Sequence, residues 1–338
     1  MYRIRGTSRS RPERGVGLSV AAARRPQILV TEPDAFPADG LEVLSRVGDV
    51  SARSVSRAEL AEAFCCYDAI LVRLAHRIDT DILGLAPRCR ILGTPTTGLD
   101  HIDLAACASR GVQVISLRQE KQFLRTVRGT AEHSVALALA LLRGIVPAVA
   151  AVNRGEWDRD AFRGHEIHGM TVGVLGVGRI GSMVADSYLS MKARVLGYDA
   201  RRGWRHKGVA RCRDIHTLCD SSDLLTVHVS YDVGDPPAVS ASVISRLPRG
   251  AFLVNTSRGG AVDEAAILEA LRSGQLGGVA ADVLMGEPDV RANPLIEYAR
   301  QGGNVIITPH IGGNTLESRV RAETLIAQRV EAALRSLE

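Results

Sequence analysis

The sequence predicts an α/β protein made of two Rossmann-like, doubly wound units, one inserted into the other, and three observations lead there. Short β-branched apolar runs alternate with helical patterns from residue 27 onward, the pattern that builds parallel sheets with helices on their faces. The alternation comes in two series, separated by a helical stretch over residues 129–143. The length, 338 residues, exceeds what one hydrophobic core usually serves.

In the first series, residues 27–32, 69–73, 90–95 and 112–116 read as strands, because their apolar residues follow one another without helical spacing. In the second, residues 171–176, 194–199, 224–229, 251–256, 277–283 and 305–309 read the same way. A last amphipathic helix is expected from about Thr315 to the end.

Charge and composition narrow the class. Hydrophobic residues at 46% and charged residues at 23% fit a globular chain and disfavour disordered, collagen-like and membrane classes. The net charge of +5 is concentrated at one end: residues 1–25 hold seven arginines against the single acid Glu13, so the rest carries −1. This reads as a disordered arm over residues 1–26 before a near-neutral body, and no nucleic-acid partner is expected. The most apolar stretch, residues 135–142, is too short to span a bilayer, so no membrane partner is expected either. Six cysteines without a CxxC pair point to reduced thiols and a cytoplasmic location. Cys212, His216 and Cys219 lack a fourth ligand nearby, so no metal site is expected.

The first motif with chemistry in it is Gly176-Val177-Gly178-Arg179-Ile180-Gly181, directly after a strand and opening a helix. Its glycines allow a tight turn, close approach of a pyrophosphate and close helix–strand packing, while free N–H groups and the helix dipole hold the anion. The next strand ends at Asp199, eighteen residues past Gly181, where a carboxylate grips a ribose 2′-OH and repels a 2′-phosphate. NAD is therefore the expected cofactor, with Arg201 and Arg202 close enough to leave NADP open. A full α/β series precedes this fingerprint, so the ligand cleft is expected between a cofactor unit and a separate substrate unit.

Six further segments carry a resemblance: Thr97-Gly98-Leu99-Asp100-His101-Ile102-Asp103-Leu104, Ala131-Glu132-His133, residues 255–263 from Asn255 through Arg258 to Asp263, Ala281-Asp282-Val283, Glu287-Pro288 and Thr308-Pro309-His310-Ile311-Gly312-Gly313. Together with the fingerprint, and in this order, they resemble the D-isomer-specific 2-hydroxyacid dehydrogenases, a family with phosphoglycerate, D-lactate, glycerate and hydroxypyruvate enzymes. The likeness covers about residues 27–338. It implies a catalytic set of Arg258, Glu287 and His310. It further implies cofactor contacts at Gly176, Gly178, Arg179, Ile180, Gly181, Asp199, Thr256, Asp282, Gly312 and Gly313, and substrate contacts at Arg73, Thr97, Gly98 and Arg258. A substrate domain of residues 27–126 and 312–338, an NAD-binding domain of residues 127–311 and a homodimer through the latter are implied as well.

The three implied catalytic residues suit the chemistry on their own terms. Reducing a 2-keto acid needs a carboxylate clamp, a proton donor and a group that tunes the donor. Arginine offers a planar fork for the carboxylate. Histidine exchanges a proton near neutrality, and a carboxylate bonded to it favours its protonated form. Glu132 and His133 open an apolar helix and read as packing or capping residues, not as an acid–base pair.

Two stretches depart from the family pattern: residues 230–237, where the family has a proline-containing segment, and the basic stretch carrying Arg118, Lys121, Arg125 and Arg128. The second, with Arg73, suggests a substrate with a second anionic group, a phosphate, phosphonate or carboxylate. The expected reaction is hydride transfer between NAD(H) and a small 2-hydroxy or 2-keto acid. An NAD-sensing, corepressor-like binding protein of the same fold is the rival class, since fold does not fix function.

Overall fold

The computed structural model describes residues 24–337. Most of the expected arm, residues 1–23, lies outside that range. Its inner end is engaged: Arg25 Nη2 donates to Ser45 O at 2.6 Å and to Gly48 O at 3.2 Å.

Twelve strands among the described residues form two wholly parallel sheets. The first sheet contains β1 (Gln27–Val30), β2 (Asp49–Ala52), β3 (Ala69–Leu71), β4 (Ile91–Thr94) and β5 (Gln113–Ser116), in the order β2-β1-β3-β4-β5. The second contains β6 (Thr171–Leu175), β7 (Arg194–Tyr198), β8 (Ala210–Arg211), β9 (Leu224–Val227), β10 (Ala251–Asn255), β11 (Leu276–Ala281) and β12 (Val305–Ile307), in the order β12-β11-β10-β9-β6-β7-β8. Both orders reverse direction beside a strand, next to β1 in the first sheet and next to β6 in the second. Such reversals open a crevice at the carboxyl ends of the strands.

Continuous apolar strands follow from burial on both faces. In β1, Leu29 packs with Leu60 and Phe64 on one side, whereas Ile28 and Val30 pack with Ile326, Ala327 and Val330 of the C-terminal helix Leu316–Arg335 on the other. The chain thus returns to its first sheet, with Thr315 capping the final helix through the Ser318 N–H. The helix Gly129–Leu142 packs instead on the second sheet, where Leu137, Ala138 and Leu141 share a core with Val172, Val174 and Val254.

Two strands are absent from the expected set, β2 and β8. Both are sheet edges in which no residue is buried, so they lack the apolar run by which a strand is recognised. After Leu142 the chain turns at Gly144, in the left-handed region at φ 58°, into a further helix, Ile145–Asn153, at 63° to what precedes it. No single helix among the described residues is long and apolar enough to cross a membrane.

Candidate active site

The carboxyl ends of β6, β7, β10, β11 and β12 carry most of the residues singled out from the sequence. β6 runs into Gly176 at φ 89°, where a β-carbon would stand 2.6 Å from His228 O, so only glycine makes this turn. The helix Arg179–Ser190 then starts without a side-chain cap, leaving its first N–H groups open to an anion. These features, and the buried, unpartnered Thr256 Oγ1 just past β10, fit a bound dinucleotide. Backbone atoms of residues 178–181 would hold its pyrophosphate and Asp199 its adenine ribose.

Two of these side chains already have other partners. Arg179 Nη1 donates to Leu124 O at 3.1 Å and Val127 O at 3.3 Å, tying the fingerprint helix to the stretch before helix Gly129–Leu142, so its side chain is turned away from a pyrophosphate. Asp199 accepts three bonds from Arg201, from N at 2.9 Å, Nε at 3.0 Å and Nη2 at 2.8 Å. Burial pushes the Asp199 carboxyl up, but the Arg201 hydrogen bonds and charge outweigh it and hold the group below its ordinary value.

Past β10, buried Asn255 fixes a turn: its Oδ1 accepts from Ser257 N and Oγ, and its Nδ2 donates to Arg258 O at 2.9 Å. The turn sends Arg258 across to the loop after β4. Its Nε donates to Asp100 Oδ2 at 2.7 Å and its Nη1 to Ser257 O at 2.8 Å, leaving Nη2 beside Gly98. Among the described residues, the N–H groups of Thr97, Gly98 and Leu99 have no acceptor. A guanidinium edge beside free amides is a receptor for a small carboxylate.

Past β12, His310 Nδ1 lies 2.8 Å from Glu287 Oε2, and both side chains are partly exposed. With Nδ1–H given to the carboxylate, Nε2 is the nitrogen free to exchange a proton with a ligand. His310 has φ 54°, a conformation that non-glycine residues adopt only when their surroundings enforce it. The enforcing group is Asp282, whose side chain is 2% exposed. Its backbone O accepts from His310 N at 2.8 Å, Oδ1 accepts from Thr308 Oγ1 at 2.6 Å and Ile311 N at 2.9 Å, and Oδ2 accepts from Gly312 N at 2.7 Å. Gly312 is buried beside it, and Gly313 is exposed.

Arg73 departs from its expected place. Its Nε donates to Glu323 Oε1 at 2.7 Å and its Nη2 to Asp34 O at 3.1 Å, because the returning C-terminal helix brings a buried carboxylate to the carboxyl end of β3. Burial pushes the Glu323 carboxyl up despite the opposing pull of Arg73 and Arg319. The basic stretch also packs toward this helix: Glu120 pairs with Arg329 at 2.6 Å, and the Arg321 guanidinium lies 5.3 Å from the centre of the Phe123 ring. Arg118, Lys121, Arg125 and Arg128 are exposed. Three residues of the site were not singled out from the sequence: Asp100, Thr308 and, as part of this network, His133. The first two stand inside the quoted motifs, where adjacency to Gly98 and His310 was the available signal.

A dinucleotide cradle on one α/β unit, facing a carboxylate receptor on a second and flanked by an imidazole–carboxylate pair, defines a class of two-unit nicotinamide-nucleotide-binding proteins. The comparisons specify it further. The NAD binding domain of the D-isomer specific 2-hydroxyacid dehydrogenases matches residues 135–312. The chain is 32% identical to the glyoxylate reductase of Thermofilum pendens, over 92% of each protein. It is 33% identical to the D-3-phosphoglycerate dehydrogenase of Methanocaldococcus jannaschii, over 91% of this chain, but spans only 57% of that relative's length. In structure it resembles the D-lactate dehydrogenase of Aquifex aeolicus complexed with NAD and lactic acid, with a TM-score of 0.75 and 26% identity over 92% of this chain and 96% of that one. The chain belongs to the D-isomer specific 2-hydroxyacid dehydrogenase family.

Proposed function

We propose that this protein is an NAD-dependent dehydrogenase interconverting a small 2-keto acid and the D-2-hydroxy acid. The observation that carries the reading is the His310–Glu287 pair, on the same sheet edge as an arginine that reaches the Thr97–Gly98 amides. Binding NAD alone does not require such a pair, whereas reducing a carbonyl requires a proton donor. The nicotinamide, when bound, supplies the hydride. Arg258 and the Thr97 and Gly98 N–H groups hold the substrate carboxylate, and Arg258 polarises the adjacent carbonyl. His310 Nε2–H gives its proton to the carbonyl oxygen as the carbon is reduced, and Glu287 stabilises the imidazolium that donates it. Oxidation runs the same transfers backward.

Thr256, Asp282, Gly312 and Gly313 complete the cofactor side in this reading, Asp282 mainly by fixing the turn that bears His310. Residues 27–126 and 312–338 form the substrate unit and residues 127–311 the cofactor unit, supported by the separate cores on which the C-terminal helix and helix Gly129–Leu142 pack. Arg73, the arginine expected to take a second anion, pairs with Glu323, which Arg319 also approaches at 3.5 Å, and the screen below separates a simple keto acid from one that carries a second anionic group.

Helix Ile145–Asn153 presents Ile145, Val146, Val149 and Val152 to solvent along one stripe, and Trp157 beyond it is 89% exposed. Such a patch supports a homodimer built through the cofactor unit. All six cysteines are free, which supports a reducing, cytoplasmic setting.

The test is a screen of glyoxylate, pyruvate, hydroxypyruvate and phosphorylated or dicarboxylic 2-keto acids with NADH, followed by loss of cofactor absorbance. Turnover of at least one is expected, with a D-hydroxy acid as product. NADH binding without turnover of any 2-keto acid, or of any 2-hydroxy acid with NAD, returns the protein to the sensing class.

A further inference from the structure

His133 lies outside the set of residues that the proposed reaction uses, yet it touches that set at its most constrained point. It stands in the first turn and a half of helix Gly129–Leu142, with its side chain 20% exposed. Nε2 lies 2.9 Å from Thr308 Oγ1 and 3.2 Å from Asp282 Oδ1. Thr308 is two residues before His310, and Asp282 is the carboxylate around which residues 308–312 are wrapped. The imidazole also covers Gly312, where a β-carbon would stand 3.6 Å from His133 Cδ2 and 2.8 Å from Asp282 Oδ2.

The proton inventory of this cluster has one consistent solution. A hydroxyl has a single proton, and Thr308 gives it to the Asp282 carboxylate across 2.6 Å. The bond between Thr308 Oγ1 and His133 Nε2 must then be donated by the histidine, so His133 carries a proton on Nε2. The same N–H also faces Asp282 Oδ1. His133 therefore donates into the two residues that impose the left-handed backbone of His310. Backbone of that kind persists only where its surroundings over-determine it.

We propose that His133 is a positioning residue for His310. By donating its Nε2–H to Thr308 and Asp282 it holds the turn on which His310 stands, and it ties that turn to helix Gly129–Leu142, which leads out of the substrate side of the chain. The proposal rests on the proton-carrying role proposed for His310. His133 touches neither substrate nor the transferred proton. A shift of about 1 Å in a reacting group costs on the order of 10²-fold in rate, which sets the size of the expected effect.

The experiment uses the full chain and compares His133→Leu, His133→Gln and Thr308→Val, with His310→Ala as reference. Turnover with NADH and the best keto acid from the screen is measured alongside NADH affinity from fluorescence titration. His133→Leu is expected to lower kcat by about 10- to 100-fold with KM for the keto acid and NADH affinity within about threefold of wild type. His133→Gln, whose amide N–H reaches the same place, is expected to recover most of the loss. Thr308→Val keeps the shape and removes the relay, so it should lower kcat comparably, and the double variant His133→Leu/Thr308→Val should be no worse than the poorer single one. His133→Leu turnover within twofold of wild type overturns the proposal. So does His133→Gln behaving like His133→Leu, which would make the role one of bulk alone. The underlying reading fails separately: if His310→Ala keeps wild-type turnover, His310 is not the proton carrier, whatever His133→Leu does. If His310→Ala loses turnover and His133→Leu does not, the positioning role fails and the reading stands.

Discussion

Arg258 Nη2 occupies the space that a β-carbon on Gly98 would need, so the glycine of one unit makes room for the arginine of the other. Gly98 is not in the left-handed region, so alanine there meets no backbone strain and acts by displacing the guanidinium and crowding Asp100 Oδ2, 3.1 Å from the added carbon. Gly98→Ala is expected to raise KM for the keto acid by about 10- to 100-fold, the cost of misplacing a clamp by about an ångström, with NADH affinity unchanged. Steady-state kinetics and NADH titration check it, and an unaltered KM would show that Arg258 does not bind substrate from this position.

Removal of the imidazole at position 310 separates binding from chemistry. His310→Ala is expected to lower turnover by about 10²- to 10⁴-fold, the usual contribution of a general acid, while NADH still binds. Glu287→Gln keeps a hydrogen-bonding group at Nδ1 but removes the charge that stabilises imidazolium. Its kcat for keto acid reduction should fall while NADH affinity is unchanged. Wild-type kcat in a folded Glu287→Gln variant, in buffered steady-state assays, counts against that role.

In the proposed reading, cofactor choice rests on a balance between Asp199 and the arginine that grips it. Asp199→Ser removes the carboxylate that repels a 2′-phosphate and releases the Arg201 guanidinium, 2.8 Å away, to meet one. The ratio of kcat/KM for NADPH to that for NADH is expected to rise at least tenfold, and adding Arg201→Ala should return it toward the wild-type value. Binding of 2′,5′-ADP, followed by thermal shift, gives the same comparison without turnover.

Acid should destabilise the protein before most carboxylates are protonated. Burial pushes the His228 imidazole down to about 3 and that of His101 down to about 4, whereas both sit near 6.5 in an unfolded chain. Between those values the unfolded state binds more protons than the folded one, so stability is fully present above about pH 6.5 and is lost as pH falls toward 4 and below. Each histidine adds a slope of up to about 1.4 kcal/mol per pH unit in that window. Chemical denaturation at pH 7.5, 6 and 5 measures it, and His228→Gln should flatten the profile. An unchanged profile in a folded His228→Gln variant would place the imidazole in a more hydrated setting.

What the sequence determined by itself is local. Ten of the twelve strands, the start of helix Gly129–Leu142 and the cap of the last helix were legible because apolar runs, glycine turns and caps express themselves between near neighbours. The glycine fingerprint and Asp199 were legible for the same reason, as residues at strand ends, where side chains meet a ligand, and Arg258 and His310 were candidates implied by the resemblance that stand just past strands legible in the same way. Glu287 was legible only through the family resemblance. Tertiary structure alone decided the partners. Arg73 faces Glu323, 250 positions later, because the last helix returns to the first sheet, and Arg179 turns toward Leu124 and Val127 instead of an anion. His133 reads as a packing residue on an apolar helix until β11 and β12 bring Asp282 and Thr308 to its Nε2. Hydrogen bonds and ion pairs between distant segments depend on how the sheets and helices dock, and that geometry is set by packing of whole layers, which no local run of residues encodes.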